Sequence, residues 1–180
     1  MDGESKPVDY SRVTDPGRYA VLHDEADRLL DELTERYTVE RRESRERLGP
    51  TAEAVRMVRL IPRTPAAAPL AIAFTAFPGV VLRLGRWYEE TFPGCGCDAC
   101  DEAPADLVTE LHTQAGALVE GGLWERIRRG VTGSWAETRL IGPDFNAGRS
   151  MPVEAREARA ARRDGFAAPV QWAPWPRRAV

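Results

Sequence analysis

The sequence predicts an α+β protein in which an antiparallel sheet of three to four strands packs against two main helices, with a Pro/Trp-rich tail at the C-terminus. Three observations carry that prediction. Apolar residues recur at helical spacing over 16–37 and again over 104–119. Apolar runs over 54–61, 70–75 and 80–84 are set apart by proline and glycine. The last segment, Phe166 to Pro176, holds three prolines and two tryptophans.

Residues 1–13 form a polar lead-in, expected to be flexible. They lack the basic-then-apolar order of a secretory signal. Asp15-Pro16 is a helix-start signal, because proline fits the first turn, where its missing N–H costs nothing. Tyr19, Leu22, Ala26, Leu29, Leu30, Leu33 and Tyr37 then follow at steps of three and four, with Asp24, Glu25, Asp31 and Glu32 off that stripe. The helix should end near Tyr37.

Arg41 to Arg47 is a dense mixed-charge run and reads as a solvated connector or a helical extension. From Ala54 the texture changes: Val55, Met57, Arg59 and Ile61 alternate with Arg56, Val58 and Leu60. That pattern fits a strand buried on one face and partly on the other. The runs 70–75 and 80–84 flank Phe77-Pro78-Gly79 as a hairpin, which completes an antiparallel meander. A second helix opens at Pro104, with Leu107, Leu111 and Leu118 as its stripe and Gly121-Gly122 as its stop. After the basic run Arg126 to Gly130, Ser134 to Ile141 supplies a fourth strand. Glu154 to Arg163 has few apolar residues and reads as an exposed helix. The tail is too rich in proline for regular structure, but Trp172 and Trp175 are costly to leave in water, so it should pack back on the domain. The partition expected is therefore a lead-in over 1–13, a single α+β domain over 14–141, and a short helix and returning tail over 142–180.

Composition narrows the function. A chain of 180 residues, 43% hydrophobic and 29% charged, is ordinary for a soluble domain. No apolar run approaches the roughly 20 residues that span a bilayer, and a cytoplasmic location is expected. Net charge is only −3, split between +4 from Arg149 onward and −7 before it. With a pI near 5.6, the chain lacks the basic groove that nucleic acid requires. A protein or small-molecule partner is expected instead. Phosphate-loop, dinucleotide, zinc-protease and serine-hydrolase motifs are all missing.

The concentrated chemistry is Cys95-Gly96-Cys97-Asp98-Ala99-Cys100, which holds every cysteine of the chain within six residues. A Cys-x-x-Cys turn lets two thiolates face one metal ion, and Cys95 adds a third across Gly96, so structural zinc is the leading reading. Asp98, Asp101 and Glu102 make the loop acidic. His112 is the fourth ligand nearest in sequence, although it sits roughly 12 Å along the second helix; His23, Asp98, Asp101 or water are alternatives. A plainer reading makes the cysteines small apolar residues lining a half-buried loop. Thiolate chemistry, redox or nucleophilic, is the enzymatic alternative, with Cys97 or Cys100 as thiolate and Arg86 or His112 as partner. The predicted helix starts too late to lower a thiol pKa, and the nearby carboxylates should raise it. His23 reads as a partly buried flank residue. Arg86-Trp87-Tyr88-Glu89-Glu90 offers a cation, aromatics and carboxylates that a small-molecule pocket can use, although Glu89 and Glu90 would point apart in a strand.

Phe77-Pro78-Gly79-Val80, Gly85-Arg86-Trp87, Phe92-Pro93 and the string Cys95-Gly96-Cys97-Asp98-Ala99-Cys100-Asp101-Glu102, with Tyr10 to Pro16 at the start, resemble an uncharacterised actinobacterial domain-of-unknown-function family, DUF6226. The resemblance spans residues 10 to 176. It implies a free-standing cytoplasmic bacterial protein and brings no activity, cofactor or substrate with it.

Overall fold

A computed structural model describes residues 12–179. Most of the lead-in expected over 1–13 lies outside the described residues. A short 3-10 turn, Pro16–Ala20, leads into α1 (Val21–Arg36). Asp15 precedes the turn without a side-chain capping bond. Leu22, Ala26, Leu29, Leu30 and Leu33 form the buried stripe of α1.

Five strands follow in sequence order as a meander: β1 (Val39–Arg47), β2 (Ala54–Pro62), β3 (Leu70–Thr75), β4 (Gly79–Leu84) and β5 (Tyr88–Phe92). The connector expected over Arg41 to Arg47 is thus a strand, and Arg86 to Glu90 runs into another. β1 pairs with β2 from Val39↔Pro62 to Arg47↔Ala54. It stands on cross-strand ion pairs: Arg59 with Glu46, and Arg56 with Glu43. Arg56 also holds Asp27 of α1 through two bonds of 2.9 Å, which locks the sheet under the helix.

One face of this sheet, with Val58, Leu60, Ile72, Leu82 and Leu84, is buried with α1 and with α2 (Pro104–Val119). Met57, Ala71, Ala73 and Val81 form a smaller buried strip on the other face. At roughly 25 cal/mol per Å² of apolar surface, the larger cluster is the main source of stability.

The remaining chain builds a second sheet, so the single sheet of three to four strands is corrected to two sheets of five and four strands. Its elements are β6 (Leu123–Arg129), β7 (Ser134–Ile141), β8 (Asn146–Val153), α3 (Ala155–Arg163) and β9 (Val170–Gln171), in the order β8-β7-β6-β9. The basic run is therefore strand β6, with Leu123, Glu125 and Ile127 pointing inward. The helix read as exposed buries Ala158 and Ala161 against Ile127, Ala136, Phe166 and Trp87. Alanines allow close approach, which is why so few large residues mark that face. Trp175 is 3% exposed; its indole N–H donates to Ala68 O at 2.8 Å and its ring meets Tyr37 edge-on. No helix among the described residues is long and apolar enough to cross a membrane.

Candidate metal centre

The cysteine loop joins β5 to α2. It leaves the sheet through Phe92-Pro93, and α2 begins at Pro104 with proline in its first turn. Between them the chain must reverse within a few residues. Gly96, at φ +70, supplies a conformation that other residues rarely adopt. A Cβ there would also meet Phe77 Cζ at 2.9 Å.

Glu102 closes the loop on itself. Its carboxylate accepts the backbone N–H groups of Gly94 at 3.1 Å, Cys95 at 2.9 Å and Gly96 at 3.2 Å. Burial pushes this carboxyl up, but the three N–H donors outweigh it, and its pKa ends below the ordinary value. Cys97 O then accepts the N–H of Cys100 at 3.2 Å and of Asp101 at 3.3 Å, which forms the Cys-x-x-Cys turn.

The same loop is fastened to the start of the chain. Asp98 N–H donates to Arg12 O at 2.9 Å, and the Asp98 carboxylate accepts both the N–H of Thr14, at 2.9 Å, and its hydroxyl. Arg18 Nη1 reaches Asp101 Oδ1 at 3.0 Å. The three loop carboxylates are thus each held by protein donors. The sequence offered no signal for Glu102, Thr14 or Arg12 in these roles, because each contact depends on where the meander returns the chain.

The three sulfurs converge. Cys95, Cys97 and Cys100 Sγ all lie within 4.8 Å of one another, with Cys95 and Cys97 at 3.0 Å. Cys97 is buried, and the other two are exposed. Hydrogen bonding from the Cys95 thiol and then from the Cys100 backbone lowers the Cys97 pKa. Cys100, donating to Cys95 and Cys97, is pushed up to about 12. The uniform rise expected from neighbouring carboxylates is therefore corrected to a split set by the thiols themselves.

The histidines and Arg86 lie elsewhere. His112 Nε2 sits 3.9 Å from Glu25 Oε2 and is outside the sulfur group. His23 Nε2 bonds Gly79 O at 2.9 Å, with its ring edge-on to Phe74. Arg86 holds Glu157 at 2.8 Å and Asp164 at 2.7 Å. Glu89 pairs with Arg83 and Glu90 with Arg149, so the two carboxylates do point apart.

Chemically, three soft donors on one rigid turn, two of them open to solvent, can ligate a thiophilic metal ion. The fold and site together define a two-sheet α+β protein with a three-thiol loop at the junction of sheet and helix. The model of a family of unknown function, DUF6226, matches residues 1–179, and the chain belongs to that family. No curated protein and no solved structure matches it.

Proposed function

We propose that the protein is a cytoplasmic binding module, for a protein or small-molecule partner, whose β5–α2 loop is fixed by a structural zinc ion on Cys95, Cys97 and Cys100. The observation that carries the reading is the mutual approach of the three sulfurs within 4.8 Å. Zinc–sulfur bonds of about 2.3 Å at tetrahedral angles set sulfurs about 3.8 Å apart, so the turn needs only small adjustment. The exposed side leaves the fourth position to water or to a donor from a partner. A bound zinc would hold all three sulfurs as thiolates; the lowered Cys97 pKa favours this, and at Cys100, pushed up to about 12, the metal would have to displace the proton.

Metal analysis of protein purified without chelator tests this. About one zinc per chain, with the thiols protected from titration, is expected; below about 0.2 zinc, with three freely titrating thiols, the reading fails. A second reading, thiolate chemistry of a redox or nucleophilic kind, draws on the lowered Cys97 thiol beside Cys95. The burial of Cys97 and the placement of Arg86 and His112 outside the sulfur group weigh against it. Alkylation at neutral pH well above the rate of a model thiol would favour it instead.

A further inference from the structure

The stretch Arg86 to Glu89 has no part in the metal reading, yet all of it lines a cavity of about 520 Å³. The cavity opens on the side of the five-stranded sheet that carries Arg59, Ala71 and Arg83, and Met151 of β8 reaches it from the second sheet. Its volume lies within the roughly 300–1,000 Å³ of small-molecule sites.

The lining follows from strand register. Arg59 pairs with Ala71, Ala71 with Arg83, and Arg83 with Glu89, so the four form one cross-strand row. Strands lie about 4.8 Å apart, which sets the two arginine stems about 10 Å apart with only a methyl group between them. That gap is a notch. Ile61, Trp87 and Met151 supply its apolar surroundings.

The cations differ in what they have left to give. Arg59 spends both terminal nitrogens on Glu46. Arg86 is paired twice, to Glu157 and Asp164, and stacks over Trp87 at 5.3 Å. Arg83 gives only Nε, to Glu89 at 2.6 Å. Among the described residues nothing accepts from its two terminal nitrogens, and its side chain is about one-third exposed. Trp87, 8% exposed, adds its ring to the apolar wall of the cavity.

We propose that this cavity binds a small molecule carrying one anionic group, a carboxylate, sulfonate or phosphate monoester, on an apolar body about the size of one or two rings. The anion is received by the free fork of Arg83, and the body lies among Ile61, Trp87 and Met151. One free guanidinium accounts for a single anionic group; a polyphosphate would need Arg59 and Arg86, which are neutralised by their own carboxylates. A cation finds only Glu89, already paired. The site is independent of the cysteines and stands whether or not they hold metal.

Binding of 1-anilinonaphthalene-8-sulfonate to the full chain, followed by fluorescence, tests this against its uncharged analogue N-phenyl-1-naphthylamine. The expected result is saturable 1:1 binding of the sulfonate, about tenfold or more tighter than the neutral probe. Arg83→Gln should abolish that preference while leaving the neutral probe unchanged, and Arg83→Lys should retain part of it. Arg36→Gln, in the separate hollow between α1 and α2, should change neither. Far-UV circular dichroism confirms that each variant is folded. Equal affinity for the two probes, sulfonate binding unmoved by Arg83→Gln, or binding lost in Arg36→Gln instead would overturn the proposal.

Discussion

The Glu125 carboxylate accepts the backbone N–H of Trp87 at 2.8 Å, joining β6 of the second sheet to the turn between β4 and β5 of the first. The same carboxylate accepts Arg86 N–H at 2.9 Å and the Trp172 indole N–H at 2.9 Å, and it is fully buried. Glu125→Ala would orphan three donors at once, the buried Trp87 N–H and the part-buried Arg86 N–H and Trp172 indole. A loss of about 3 kcal/mol or more is expected, read as a lowered urea midpoint.

Glu125 also predicts a pH dependence. Burial pushes its carboxyl above the ordinary value of 4.5, and the N–H donors offset this only in part. The folded chain then holds that proton more tightly than the unfolded one, so stability falls as pH rises from 4.5 through the raised value and levels off above it. Glu46 works in the opposite sense. Hydrogen bonding from Arg59 and Ser44 lowers it to about 2, so its contribution is present above 4.5 and lost as pH falls toward 2. Urea midpoints taken across pH should decline on the upper side in the wild type and flatten there in Glu125→Gln. The acid-side loss should persist in that variant and shrink in Glu46→Gln.

How much of this was legible in the sequence depended on whether burial announces itself. α1 and the β3–β4 hairpin were legible because large apolar residues carry their period. β1 was hidden because charges fill its faces and its order comes from pairing with β2. β6 did show alternation through Leu123, Glu125 and Ile127, but a carboxylate at an inward position masked it. That same flaw is the clue: an acid flanked by inward Leu and Ile must find donors. The cysteine cluster was conspicuous by spacing, whereas Glu102 and Thr14 acquire their roles only through contacts distant in sequence.

Glu102 positions the thiol loop without contributing a sulfur. Glu102→Ala should leave the N–H groups of Gly94, Cys95 and Gly96 without their acceptor and weaken zinc binding by about tenfold, measured by competition with a chromogenic chelator. Glu102→Gln, which keeps one carbonyl oxygen, should recover part of that loss. Zinc affinity equal to wild type in Glu102→Ala would refute the positioning role.

The clasp between Asp98 and Thr14 predicts a local effect. In Asp98→Ala the Thr14 amide loses its acceptor, so its hydrogen exchange should speed up while core amides such as those of β3 stay protected. Chelation of the zinc proposed for this loop should act in the same direction, more weakly, because the Cys97–Cys100 turn carries Asp98.

Trp175→Ala should cost about 3–5 kcal/mol, as expected for removal of a buried aromatic, with the loss of its bond to Ala68 O included. A calorimetric melting temperature reads it directly. A fall of less than about 2 °C would mean that the tail contributes little to the folded state.

The charge ladder of β1 has a consequence for how molecules of this protein meet. β1 is the outer strand of its sheet, and seven of its nine residues are charged. An open strand edge is a template onto which a second chain can add. Here any approaching strand would have to strip water from alternating arginines and glutamates already satisfied within their own molecule. With a net charge of only −3, the protein has little long-range repulsion to keep copies apart. The guard against polymerisation is therefore local, set along one border, and high salt or acid would be the conditions that lower it.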